Sequence, residues 1–86
     1  MVKKSVTVNN ETGLHARPAS QLTQLCRGFS NEIRIIHGDK EFDPKNIVSM
    51  LMAGIKKGTE IEIQVTGDNE NEVCEKIVDF ISNLTE

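Results

Sequence analysis

The sequence predicts an α+β domain, a four-stranded antiparallel sheet with three helices on one face, in the order βαββαβα. Three observations lead there. Four short segments alternate apolar and polar residues with the period of two that belongs to strands. Three others repeat apolar residues at i, i+3 or i+4 and i+7, as helices do, and clusters of Gly, Asn, Asp and Pro separate the segments. Because each strand keeps one apolar and one polar face, all helices are expected on a single side of the sheet.

Residues 2–8 are expected as the first strand, with Val2, Lys4, Val6 and Val8 on one face and Lys3, Ser5 and Thr7 on the other. Asn9 to Gly13 is dense in turn formers and ends it. Leu22, Leu25, Cys26 and Phe29 then follow helical spacing, which predicts a helix over about 16–27 closed near Gly28. Pro18 suits its first turn, where the missing N–H removes no internal bond. Glu32 to His37 is a second strand, and Gly38-Asp39 is a two-residue turn into the third, Lys40 to Phe42. Asp43-Pro44 breaks the pattern, and Asn46 is an N-cap for a short helix closed by Gly54. That helix is apolar nearly all round, at Ile47, Val48, Met50, Leu51 and Met52. Thr59 to Val65 forms the fourth strand, with Ile61, Ile63 and Val65 inward. Val73, Ile77, Phe80, Ile81 and Leu84 define a last helix over about 70–84, whose acidic first turns suit its macrodipole.

At 86 residues the chain is one domain, because two would each be too small to hold a core. No apolar run approaches the ~20 residues of a membrane helix, and Met1 to Val8 has no apolar leader segment, so a cytoplasmic protein without membrane insertion is expected. Cys26 and Cys74 are too few for a disulfide framework and are expected as reduced, partly buried small hydrophobes. Three Phe with no Trp or Tyr leave no stacking platform, which argues against nucleic acid as a partner. Residues 1–59 hold nine Lys/Arg against five Asp/Glu, whereas 60–86 hold one Lys against eight Asp/Glu. A site in the first two-thirds therefore favours an anion or an acidic partner.

The stretch Thr12-Gly13-Leu14-His15-Ala16-Arg17-Pro18-Ala19 carries the chemistry. It puts a histidine at the mouth of a helix whose first N–H groups have no intrahelical partner, with an arginine two residues on. That arrangement suits a doubly charged anion. A helix terminus contributes about 0.3–1 kcal/mol, up to ~2 when partly buried, and Arg17 adds a charge-assisted bond of ~1.5–3 kcal/mol. Those magnitudes bias a phosphoryl group toward the site without trapping it. Histidine is also a poor N-cap beside Thr12, so its position here is not explained by helix capping. His37 precedes a turn and is expected to be solvated, and the histidines and cysteines lack the short spacing of zinc ligands, so no metal is expected. No Gly-rich phosphate cradle is present, and no cofactor is expected.

Leu14-His15-Ala16-Arg17-Pro18-Ala19, with Lys45-Asn46-Ile47-Val48 and the βαββαβα order, resembles the histidine-containing phosphocarrier family HPr of the bacterial sugar phosphotransferase system. The resemblance covers the whole chain. It implies an open-faced β-sandwich that accepts a phosphoryl group from phosphorylated enzyme I and passes it to sugar-permease A domains. It further implies phosphorylation of His15 on Nδ1, with Arg17 against the phosphate, a backbone N–H from Ala16 and a helix start fixed by Pro18. Family members dock partners through apolar residues on the second helix, which here match Ile47, Val48 and Leu51. Met50 and Met52 are assigned to the core. Gln24 and Arg27, on the exposed side of the first helix, match positions where relatives often carry basic groups, and pairing there governs mainly association rate.

The departure is Asn46. Many relatives carry a serine there that a kinase phosphorylates for regulation; Asn46 has no hydroxyl to modify and keeps only the N-cap role. A monomer is expected. Two other readings stand beside the sugar carrier: a regulatory interaction module using the Ile47/Val48/Leu51 face, and a phosphocarrier of a nitrogen-regulating branch. An RNA-binding sandwich is disfavoured by the acidic fourth strand.

Overall fold

Alternating β-branched residues and helically spaced apolar ones produce the expected elements in the expected order. In the computed structural model, which describes residues 1–85, these are β1 (Val2–Thr7), α1 (Ala16–Arg27), β2 (Glu32–His37), β3 (Lys40–Phe42), α2 (Ile47–Ala53), β4 (Glu60–Thr66) and α3 (Glu70–Ser82). Boundaries differ from the sequence reading by a residue or two: β1 stops at Thr7, β4 is shifted by one, and α3 ends at Ser82 rather than at 84. These are the positions where hydrogen bonding, not apolar spacing, decides the end of an element.

The sheet runs β1-β4-β2-β3, antiparallel at every pairing. Val6 lies opposite Ile61, Ile33 opposite Val65 and Ile35 opposite Ile63, so one face of the sheet is continuous apolar surface. Val6, Val8, Ile33, Ile35, Ile61, Ile63 and Val65 join Leu22 and Cys26 of α1, Met50 of α2 and Val73, Ile77 and Ile81 of α3 in a single core. The other face carries Lys3, Ser5, Glu60, Glu62 and Arg34, and the architecture is an open-faced sandwich. Gly38, at φ 64, opens the two-residue turn that closes β2 on β3, as expected from Gly38-Asp39. Lys4 points to the helix side at the edge strand, where it pairs with Glu75 of α3, a charge on the apolar face that discourages edge-to-edge pairing.

α2 rests on α1 and on β3. Two details correct the sequence reading. The cysteines are both free and completely buried, not partly. Met52, assigned to the core, is the most exposed residue of α2, because a helix of seven residues meets its neighbours along one line and Met50 occupies it. Among the described residues, no helix is long and apolar enough to cross a membrane, and no cluster of His, Cys, Asp and Glu could hold a metal ion.

Candidate functional site

The turn that delivers His15 is fastened at both ends. Val8 N–H donates to Thr59 O at 2.9 Å and Gly58 N–H to Val8 O at 2.6 Å, so the chain leaves β1 paired with the entrance to β4. Gly13 N–H then donates to Asn10 O at 3.1 Å, while the buried Asn10 side chain donates to Gly13 O at 2.8 Å. Leu14 N–H donates to Ile55 O at 3.0 Å, and both Leu14 and Ile55 are buried. Gly13 has φ 64 and lies so close to the α2–β4 connection that a Cβ on it would stand 2.3 Å from Ile55 O and 2.9 Å from Lys56 Cα. The result is a rigid shelf joining the entrance of α1 to the exit of α2.

His15 stands at the edge of this shelf, exposed, with extended backbone (φ −135, ψ 160) and an imidazole that makes no capping bond to α1. Ala16, first residue of α1, has φ 54, a left-handed conformation that costs a non-glycine residue about 1–2 kcal/mol. The helix proper therefore begins at Arg17, with Pro18 buried in its first turn. Ala16 and Arg17 are exposed beside His15, and Gln24 and Arg27 are exposed farther along α1. Ile47, Val48 and Leu51 are exposed on α2, which packs against α1.

Asn46 caps α2 as expected: its Oδ1 accepts from Val48 N–H at 3.0 Å and Ser49 N–H at 3.2 Å. Gly54 ends the helix in the left-handed region. Two contributors were missed by sequence reasoning. Lys45 Nζ donates to Phe29 O at 2.7 Å and Asn31 O at 2.6 Å, tying the start of α2 to the loop after α1. Lys56 is an exposed cation whose backbone lies against Gly13, two residues before His15. Lys57 beside it is paired with Glu11 at 2.7 Å. Neither contact has a local sequence signal, since both join segments distant in the chain.

The site is an open surface. His15 lines neither the hollow of Gln21, Asp79, Phe80 and Asn83 nor the one of Phe29, Asn31, Asp68 and Lys76. An exposed imidazole, an adjacent arginine and a helix mouth can receive a compact anion from a docked macromolecule.

Fold and site together define a small α+β domain that presents a surface histidine at a helix mouth beside an apolar helix. Residues 2–83 match the family described as the PTS HPr component phosphorylation site. The chain belongs to that HPr phosphocarrier family. It is 39% identical over 77 residues to the phosphocarrier protein HPr of Mycoplasma capricolum, covering 90% of this chain and 86% of that protein. The crystal structure of HPr-C-His from Thermoanaerobacter tengcongensis superposes with a TM-score of 0.90 at 32% identity, covering 94% of this chain and 91% of that one. The Bacillus subtilis catabolite repression protein Crh, described as a swapped, intertwined dimer, gives a TM-score of 0.77 at 28% identity, covering 100% of this chain and 99% of that one.

Proposed function

We propose that the chain carries phosphoryl groups on His15, accepting them from phosphorylated enzyme I and passing them to sugar-permease A domains in the cytoplasm, as a monomer and without metal or cofactor. The observation that supports this reading best is the exposed His15 imidazole on an anchored shelf, with Arg17 two residues on and the apolar side of α2 close by. A ring nitrogen of His15, Nδ1 by the family resemblance, bonds to phosphorus as the donor's bond to phosphorus breaks. Arg17 and the first N–H groups of α1 face the charge on the phosphoryl oxygens. Ile47, Val48 and Leu51 supply the apolar contact that holds the partner, while Arg27 and Gln24 form its polar rim.

The test incubates the protein with phosphoenolpyruvate and enzyme I and measures intact mass and the acid lability of any adduct. One acid-labile phosphate, absent from His15→Ala, is the expected result. An adduct that survives in His15→Ala ends the assignment to this residue. The likeness to Crh favours a second reading, a regulatory module that uses the α2 face alone. It predicts no adduct on a folded protein.

A further inference from the structure

The exposed face of α2 carries a group that the transfer chemistry does not use. Ile47 and Leu51 are 36% and 38% exposed, Val48 is 59% exposed, and Met52 is 81% exposed. Val48 and Met52 are four residues apart and so lie one above the other on the helix. Met52 also stands at the end of α2 that Gly54 and Ile55 join to the shelf under His15. Its thioether therefore extends the exposed apolar face of Ile47, Val48 and Leu51 to which the carrier reading assigns docking.

The other sulfur atoms are placed differently. Met50 is 0% exposed in the core, Cys26 and Cys74 are buried, and Met1, 65% exposed, precedes the edge strand β1 and pairs through its amino group with Glu70 of α3, away from α2. A two-electron oxidant reaching the folded protein thus meets one sulfur on the docking face. Conversion to the sulfoxide turns a flexible apolar side chain into a polar one without touching the core.

We propose that Met52 is a reversible oxidation site through which peroxide-class oxidants lower phosphoryl transfer to His15; the proposal rests on the carrier reading above. The sulfur lone pair bonds to one peroxide oxygen as the O–O bond breaks, and the departing oxygen takes up the proton and leaves as water. Sulfur loses two electrons and the peroxide gains them. A methionine sulfoxide reductase reverses the step, with two thiols becoming a disulfide and the oxygen leaving as water.

The test treats the whole protein with hydrogen peroxide, locates the added oxygen by peptide mapping, and compares the rate of phosphoryl acceptance from enzyme I before and after treatment. Met52 should oxidise well ahead of Met50, and the rate at limiting protein concentration should fall roughly five-fold, the scale of one damaged interface side chain. Reductase should restore it. In Met52→Leu the treated-to-untreated ratio should be close to one even though Met1 still oxidises. Full oxidation of Met52 with an unchanged rate, or an equal fall in Met52→Leu, would overturn the proposal. An untreated protein that accepts no phosphoryl group would instead overturn the carrier reading, and the proposal with it, while the peptide map still reports whether Met52 is the reactive sulfur.

Discussion

At the scale of single residues, the turn that delivers His15 depends on Gly13. A side chain at Gly13 is strained by φ 64 and would drive a Cβ to 2.3 Å from Ile55 O, a backbone atom that cannot swing aside. Gly38 has the same φ of 64 with nothing within 4 Å of its Cβ position. Gly13→Ala should therefore lose about 3 kcal/mol of stability where Gly38→Ala loses about 1, and should also slow phosphoryl acceptance by shifting the shelf. Urea unfolding of both variants checks this, and equal losses would show that the contact with Ile55 carries no weight. His15, Ala16, Arg17 and Pro18 were legible in the sequence as a candidate because they are local, four neighbours at one helix mouth. The left-handed Ala16 and the close approach at Gly13 were not legible. The close approach at Gly13 is imposed by a segment more than forty positions away, Ala16 belongs to a residue type that carries no signal for φ 54, and Gly13 taken alone reads as an ordinary turn residue.

At the scale of elements, α2 shows where apolar patterning stops being informative. Strands β2 and β4 are covered by a broad layer, and the alternation of β4 identified Ile61, Ile63 and Val65 as inward, which are buried together with Ile33 and Ile35 of β2. α2 is apolar at nearly every position and touches its neighbours along one line, so spacing alone could not separate buried Met50 from exposed Met52. Its exposed face is held mainly by its ends. Asn46 caps two N–H groups, Gly54 turns the chain out, and Lys45 fixes the approach by two bonds to the loop after α1. Asn46→Ala should cost about 1 kcal/mol and, in so short a helix, loosen the face that carries Ile47 and Val48. The expected signature is a raised KM for transfer from enzyme I with kcat little changed, and recovery in Asn46→Ser, which keeps a capping oxygen. A fall in kcat with KM unchanged would place the effect at His15 and not at docking.

At the scale of the whole molecule, the helix that begins beside His15 ends in a core that resists ionisation. Burial pushes the Cys26 thiol from an ordinary 9.0 up to about 12, with Asp43 acting in the same direction and Lys45 opposing. Cys74 is raised by burial too, and Lys4 is raised by its bond to Glu75. In each case the folded protein holds its proton more tightly than the unfolded chain, so these groups contribute fully below the unfolded value. The contribution of Cys26 is then lost as pH climbs from about 9 toward 12, because the unfolded chain alone has given up the proton. For Cys26 the slope is roughly 1.4 kcal/mol per pH unit across that window. Cys26→Ala should be less stable than the parent at pH 7, since it leaves a gap between α1 and the sheet, yet the difference should narrow steadily above pH 9 as the parent loses the thiol contribution. Urea unfolding of both proteins from pH 7 to pH 11 measures it. A difference that stays constant over that range would mean that the thiolate is accommodated in the folded core, and that α1 is packed less tightly behind His15 than the buried Cys26 and Leu22 imply.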